Sequence, residues 1–149
     1  MIYQFDTNIV IHYLRESPLM RRVDEQFNPF DPSNEIWLCI VSIGELKSIA
    51  IQAKWGTKRL KQLESLLDVL HPVDIWAEEI LDRYAEIDAF SQNKLASQPL
   101  GLSSRNMGKN DLWIAATASI LGATLLTTDA DFDHLKGTLL NVEKVTLPA

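Results

Sequence analysis

The segment NDLWIAATASILGATLLTTD, residues 110–129, predicts a helix that leads into a buried strand. Asn110 is a helix-capping residue type, Asp111 would place a negative charge in the first turn, and Gly122 is typical of the residue that follows a helix. The β-branched and apolar run ATLLTT then favours a strand that ends before Asp129. In open α/β sheets, ligands bind just beyond such strand ends, so this end of the strand is a candidate site.

Strands and helices alternate along the rest of the chain as well. The apolar pattern predicts five strands, at 2–5, 36–41, 69–73, 124–127 and 141–146. It predicts helices at 8–15, 18–27, 43–54, 57–67, 75–96 and 110–121, and a short one near 131–135. This alternation predicts an α/β fold with a mostly parallel sheet covered by helices on both faces. A chain of 149 residues can bury roughly 70% of its unfolded surface, so we expect a single domain, residues 1–149.

Four carboxylates stand at strand ends and helix starts: Asp6, Glu45, Asp111 and Asp129. Asp6 and Asp129 each follow a predicted strand, whereas Glu45 and Asp111 would each lie in the first turn of a helix. Asp111 alone is more simply explained as a first-turn residue that complements the helix dipole. Four such residues together indicate a metal site, because clustered carboxylates resist ionisation unless a cation neutralises them.

The residue types in these motifs predict a hard divalent cation. Oxygen ligands select Mg²⁺ or Mn²⁺, whereas zinc favours histidine or cysteine. His12, His71 and His134 are scattered along the chain, and the single cysteine, Cys39, lies in an apolar run that indicates a core residue. Mg²⁺ keeps several waters and binds one or two carboxylates together with substrate phosphate, so the site suits a phosphodiester substrate.

Charge is spread unevenly along the sequence. The net charge of −6 argues against a protein that binds nucleic acid by bulk electrostatics. Basic residues nevertheless occur without any acidic residue between Leu46 and Leu63. A phosphate-binding surface and a solvated helix face explain that stretch about equally well. No apolar run reaches the roughly 20 residues that span a bilayer, and the N-terminus lacks signal-peptide features, so we expect a soluble cytoplasmic protein.

Four short motifs occur in an order that is typical of one family. They are Phe5-Asp6-Thr7-Asn8, Ser42-x-x-Glu45-Leu46, Asn110-Asp111-x-x-Ile114-Ala115-Ala116-x-Ala118 and Thr127-x-Asp129-x-Asp131-Phe132. Each motif is weak alone, but together they resemble a PIN domain, specifically the VapC-like toxin ribonucleases of type II toxin–antitoxin pairs. The resemblance implies a three-layer α/β/α sandwich and a Mg²⁺- or Mn²⁺-dependent endoribonuclease. It also implies a homodimer and inhibition by a small antitoxin protein.

The resemblance assigns roles to residues by position. The residues that match the family's metal-holding carboxylates are Asp6, Glu45, Asp111 and Asp129, and those that match the polar residues beside them are Thr7, Asn8 and Thr127. We expect Asp6 and Asp111 to be the principal direct ligands, and the other two carboxylates to be ligands or water-positioning bases. The three polar residues would orient the ligands. In some relatives the residue at the position of Asp131 also contributes, so the resemblance makes Asp131 a further candidate ligand.

Three other functions fit parts of the pattern. A nuclease of the same fold could act on single-stranded or flap DNA, which an assay of RNA against DNA cleavage distinguishes. A phospho-acceptor receiver domain also gathers aspartates at strand ends, but it needs a lysine at a late strand end, and Thr127-Thr-Asp129 supplies none. A non-catalytic binding module is disfavoured because unneeded repulsion between carboxylates would destabilise the domain.

Two further segments are candidates for binding surfaces. A groove between helices near 57–96 would present Leu60, Leu63, Leu66 and Leu67 on one helix and Ile80, Leu81 and Tyr84 on the other. Much of this stripe is expected to be core, and the rest is a candidate docking surface for a partner. The loop at 97–109 would either shape the mouth of the site or simply connect two helices.

Overall fold

A five-stranded parallel sheet forms the centre of the protein. The computed structural model describes residues 1–148, and its strands are β1 (Ile2–Phe5), β2 (Glu35–Cys39), β3 (His71–Val73), β4 (Thr124–Thr127) and β5 (Asn141–Lys144). They lie in the order β3-β2-β1-β4-β5, and every neighbouring pair is parallel. The predicted α/β class with a parallel sheet is confirmed, and β1 is its middle strand.

Helices cover both faces of this sheet. They are α1 (Thr7–Arg15), α2 (Pro18–Phe27), α3 (Ile40–Gln52), α4 (Thr57–Val69), α5 (Glu78–Ser91) and α6 (Lys109–Leu121), with a 3-10 helix at Ala130–Leu135. α1, α2 and α4 pack on the core that contains Leu126, whereas α5 and α6 pack on the core that contains Leu125. These two leucines point to opposite faces because side chains alternate along a strand. The predicted three-layer arrangement is confirmed.

The junction between β2 and α3 differs from the prediction. β2 ends at Cys39 rather than at residue 41, and α3 begins at Ile40 with no intervening loop. Glu45 is the sixth residue of α3, so it lies in the second turn and not in the first, as predicted. The uninterrupted apolar run across this junction carries no turn residue that would mark the boundary.

Two helices also differ from the prediction. α5 covers Glu78–Ser91 and is therefore shorter than the predicted 75–96. α6 begins at Lys109 after Gly108, so Asn110 lies inside the helix and is not its N-cap. The remaining elements begin and end within two residues of their predicted bounds. Within residues 1–148, no helix combines the length and the apolar composition that crossing a membrane requires.

The prediction of a groove between the two helices near 57–96 is wrong, because α4 and α5 pack on opposite faces of the sheet. Leu63 and Leu66 of α4 belong to the core beneath α1 and α2. Ile80 and Tyr84 of α5 belong to the core beneath α6. Apolar periodicity shows which side of a helix is buried, but it does not show which face of a sheet that helix covers.

Gly122 ends α6 in a left-handed conformation and provides a test of stability. Its φ is 65°, and an added Cβ would meet nothing within 4 Å, so backbone strain is the main cost of a side chain there. We expect Gly122→Ala to lower the free energy of unfolding by about 1–2 kcal/mol. Urea unfolding measures the difference. Gly44→Ala, inside α3, is the matched control and should not destabilise the protein. An equal loss of unfolding free energy in both variants would show that the left-handed conformation of Gly122 is not the cause.

Candidate metal centre

The candidate site lies at the carboxyl ends of the two strands at the centre of the sheet. Asp6 directly follows β1, and its backbone N–H donates to the Leu126 carbonyl of β4 at 2.9 Å. Asp129 follows two residues after the end of β4 at Thr127. Because β1 and β4 pair in parallel, both aspartates emerge at the same edge of the sheet.

Hydrogen bonds hold both carboxylate oxygens of Asp6. The residue is 4% exposed; its Oδ1 accepts from the Thr7 N–H at 2.8 Å, and its Oδ2 accepts from Thr127 Oγ1 at 2.7 Å. Thr127 Oγ1 in turn accepts from the Asp129 N–H at 3.0 Å. The Thr127 hydroxyl therefore connects the two strand-end aspartates and fixes the orientation of the buried one.

A second set of hydrogen bonds joins α1 to α3 and holds Glu45. Thr7 Oγ1 lies 2.8 Å from Glu45 Oε1 and 2.9 Å from Ser42 Oγ. Since a threonine hydroxyl has one proton, it can donate to the carboxylate while it accepts from the serine. Ser42 is fully buried and was not predicted as a site residue, although its place three residues before Glu45 on the same helix was a signal for it.

Three further carboxylates meet beside Asp6. One oxygen from each of Asp111, Asp129 and Asp131 lies within 4.8 Å of the other two. Asp111 is in the first turn of α6. Asp129 caps the 3-10 helix and accepts from the Asp131 N–H at 3.0 Å, which brings the third carboxylate close. Oxygen ligands grouped in this way suit a hard divalent cation such as Mg²⁺ or Mn²⁺.

The pKa of Asp111 reflects its burial first and the neighbouring carboxylates second. Burial, followed by the negative charges of Asp6, Asp129, Asp131 and Glu45, raises this pKa from 3.8 to about 7. Burial also raises the pKa of Asp6, although the hydrogen bond from a threonine hydroxyl partly opposes it. The five predicted carboxylates are therefore brought together, and a divalent cation among them would favour their ionised forms.

A buried glutamine in the middle strand holds the helix that carries Asp111. Gln4 is fully buried, and its Nε2 donates to the Ile114 carbonyl at 2.9 Å and to Thr117 Oγ1 at 3.0 Å. Because a buried amide that loses its partners is costly, these bonds favour one placement of α6 over β1. Gln4 was not predicted as a site residue, and its polar type within an apolar strand was the available signal.

The other polar residues considered from the sequence lie around this centre. Asn8 is exposed in the first turn of α1. Cys39 is buried at the end of β2, where burial raises the pKa of its thiol, in agreement with a core residue. His134 Nε2 lies 2.7 Å from Ser91 Oγ, and this pair joins α5 to the 3-10 helix that carries Asp131.

Comparison with known proteins identifies the family. The sequence model of the PIN domain matches residues 3–137, which is most of the chain. The chain belongs to the PIN-domain family. Within this PIN domain, the matched range includes Asp111 and the four carboxylates whose charges act on it, from Asp6 to Asp131. The family resemblance predicted from the ordered motifs is therefore confirmed.

This PIN domain has relatives of known name along nearly its full length. Ribonuclease VapC1 of Haemophilus influenzae is 29% identical over 130 residues, which are 85% of this chain and 86% of that protein. The solved structure of VapBC2 from Rickettsia felis, bound to a DNA fragment from their promoter, contains a chain that is 24% identical with a TM-score of 0.77; the match covers 98% of this chain and 100% of that one. The structure of VapBC-5 from Mycobacterium tuberculosis, a member of the VapBC family of toxin-antitoxin systems, contains a chain that is 24% identical with a TM-score of 0.61. The match covers 98% of each chain. These solved structures share the fold of this PIN domain.

Proposed function

We propose that this PIN domain is a metal-dependent endoribonuclease that hydrolyses RNA phosphodiester bonds and is the toxin of a toxin–antitoxin pair. The observation that carries the proposal is the meeting of Asp111, Asp129 and Asp131 within 4.8 Å, beside the buried Asp6, at the sheet edge of a PIN fold. The similarity to proteins named Ribonuclease VapC1 supports RNA as the substrate.

We infer that the cation is Mg²⁺ or Mn²⁺, because the donors are all carboxylate oxygens. Asp6 and Asp111 are the proposed principal ligands. Glu45 and Asp129 are further ligands or position water, and Asp131 adds a carboxylate at the open side of the cluster, where it is exposed. When bound, such a cation polarises a phosphoryl oxygen and lowers the pKa of a coordinated water.

The residues around the carboxylates supply orientation and control of protons. Thr127 keeps Asp6 in one rotamer, and Thr7 does the same for Glu45. Asn8, at the exposed start of α1, is a proposed third orienting residue. Asp111 has a pKa of about 7 without a cation, so it must release its proton before it can act as a full ligand. Cation affinity should therefore rise with pH through neutrality.

We also propose a cognate antitoxin protein as partner, a homodimer as the assembly, and the cytoplasm as the location. The resemblance to the VapC-like group supports the first two, and the relation to VapBC-5, from a family of toxin-antitoxin systems, supports the antitoxin. We propose further that residues 1–149 form a single nuclease domain. Light scattering of the purified protein, alone and with its antitoxin, would measure the assembly.

The proposed activity is tested by incubating the purified protein with transfer RNA, ribosomal RNA fragments and single-stranded DNA in Mg²⁺, Mn²⁺ or EDTA. We expect cleavage of RNA that requires the cation and stops in EDTA. Cleavage of DNA alone would indicate a nuclease of the same fold with another substrate. Cleavage that is indifferent to EDTA would overturn the metal-dependent mechanism.

Thr127→Val tests the hydroxyl that holds Asp6. Valine matches threonine in shape but cannot donate to Asp6 Oδ2, which is buried. We expect cation affinity or cleavage rate to fall about 10- to 100-fold, which is typical when a residue that orients a metal ligand is lost. A Mn²⁺ titration of the cleavage rate measures both quantities. Thr128→Val, the same change at the neighbouring residue, is the control. If Thr127→Val matched this control in cation affinity and cleavage rate, the Thr127 hydroxyl would not be what orients Asp6.

A further inference from the structure

We propose that the side of α3 beside Glu45 is a binding subsite for one nucleobase of a single-stranded RNA, next to the phosphate that is cleaved. This inference rests on the proposed nuclease function and adds which part of the substrate the protein recognises. Three observations carry it: a cavity that adjoins the carboxylates, a glycine in the wall of that cavity, and the neutral polar chemistry of its other lining residues.

The cavity extends from the carboxylates along one side of α3. Six residues of α3, from Val41 to Gln52, and Asn110 of α6 line a volume of about 540 Å³. Pockets for small ligands measure roughly 300–1,000 Å³, so a base fits this size class. Glu45 belongs both to the wall of the cavity and to the group of charges around Asp111. The cavity therefore lies directly beside the proposed metal centre.

Gly44 forms the part of the wall next to Glu45, and packing does not explain it. Glycine inside a helix is destabilising relative to alanine. Gly44 is exposed, it is not among the glycines with positive φ, and a Cβ added there would meet nothing within 4 Å. Glycine lets a ligand approach the backbone closely, because it has no Cβ. A flat base could lie against α3 at this position, whereas a methyl group would hold it away.

The other lining side chains combine hydrogen-bonding groups with aliphatic surface. Ser48, Gln52 and Asn110 are exposed, and Gln52 Nε2 donates to Ser48 Oγ at 2.8 Å. Amides and hydroxyls both donate and accept, so they can pair with the edge of an unstacked base, which is how proteins recognise single-stranded RNA. Glu45 is the single charged residue in this lining, and it is acidic. The cavity therefore suits a neutral base and not a phosphate group.

The one basic residue of α3, Lys47, lies on the other side of the helix. Lys47 and Lys54 line a separate cleft together with Trp55 and residues of α4. At 3.6 residues per turn, Lys47 is about 160° around α3 from Glu45. Lys54 follows the end of the helix and has a positive φ. An RNA strand with a phosphate at the carboxylates would meet the cavity on the same side of α3, whereas Lys47 lies on the opposite side of that helix. This arrangement places base recognition, and not attraction of the RNA backbone, beside the cleavage site.

Two substitutions in the cavity wall test the subsite in the full-length protein. A short randomised single-stranded RNA pool is cleaved by the wild type, Gly44→Ala, Gln52→Ala and the control Gln62→Ala, an exposed glutamine on α4. Sequencing of the products gives the preference at each nucleotide around the cut. We expect Gly44→Ala to lower kcat/KM about tenfold or more. We expect Gln52→Ala to weaken the preference at one adjacent nucleotide, and the control to match the wild type.

Melting temperature and crosslinking separate binding from folding and from catalysis. Gly44→Ala should melt at or above the wild-type temperature, so its loss of activity is not a loss of fold. A 4-thiouridine RNA pool bound to Asp6→Asn protein, which is expected to bind without cleaving, should crosslink within residues 41–52 and lose that crosslink when Gly44→Ala is added. The proposed subsite would be overturned if the crosslinks were confined to other segments. It would also be overturned if the cavity variants kept the wild-type cleavage rate and nucleotide preference. If the wild type cleaves no RNA, the proposed function fails and the crosslink alone decides the subsite.

Discussion

Asp6→Asn is expected to lower RNA cleavage by about a thousandfold or more while the protein stays folded. Loss of a direct metal ligand removes several kcal/mol of transition-state stabilisation, and each 1.4 kcal/mol or so corresponds to a factor of ten in rate. Asparagine keeps an oxygen that can accept from the Thr7 N–H. Because burial already raises the pKa of Asp6, a neutral side chain should be tolerated there.

The measurement is the initial rate of RNA cleavage in Mg²⁺ and in Mn²⁺, with melting temperature and circular dichroism as checks on the fold. Asp68→Asn is the matched control, because it makes the same chemical change at an exposed position on α4. We expect the control to cleave at the wild-type rate. Wild-type cleavage by purified Asp6→Asn would show that this carboxylate is not a ligand.

The strand-end aspartates could be predicted because their signal is local. A mainly apolar run that changes abruptly to polar residues marks the end of a buried strand, and this holds both before Asp6 and before Asp129. Parallel strands that follow helical connections place such ends at one edge of the sheet. The fold class and the meeting of these two carboxylates therefore follow from short segments without knowledge of the long-range contacts.

Glu45 shows where local patterns are insufficient. The run from Ile36 to Val41 is apolar throughout, so its periodicity cannot show where the strand ends and the helix begins. The structure places that change at Ile40, which moves Glu45 into the second turn of α3. It is the hydrogen bond from Thr7, on α1, that relates this carboxylate to the strand end.

The contacts that position the site join residues far apart in the sequence. Gln4 bonds to Thr117, and Thr127 bonds to Asp6. Such pairs depend on strand order and on the placement of α6 over β1, which periodicity does not specify. The cavity beside Glu45 was missed for the same reason, since it requires residues of two separate helices.

Asp111→Asn is expected to make the cation-free protein more stable at neutral and alkaline pH. The pKa of Asp111 is about 7 in the folded protein against 3.8 for an unperturbed aspartate, so the folded state binds this proton more tightly. The contribution of Asp111 to wild-type stability should therefore fall as pH rises from about 4 to about 7 and stay low above it. The full difference corresponds to about 4 kcal/mol, and solvent screening of this half-exposed group reduces it to about 1–2 kcal/mol. Asparagine has no such proton to lose.

Urea unfolding in EDTA at pH 4 and pH 8 measures this effect. The variant should exceed the wild type by about 1–2 kcal/mol at pH 8 and match it near pH 4. Asp82→Asn, an exposed change on α5, is the control and should alter neither value. Mn²⁺ at a hundred times its Kd should then stabilise the wild type by about 2.7 kcal/mol and Asp111→Asn far less. Equal stabilisation of both proteins would show that Asp111 is not a ligand.

The sign of the change in EDTA separates a metal ligand from a structural residue. A carboxylate in the first turn of a helix ordinarily stabilises that helix by about 0.3–1 kcal/mol through the helix dipole. If Asp111 served only this purpose in α6, asparagine would destabilise the protein at pH 8. We expect the opposite, because burial and then the negative charges of Asp6, Asp129, Asp131 and Glu45 disfavour the ionised form of Asp111. A less stable Asp111→Asn protein would therefore favour the structural role and remove the main support for a shared cation site.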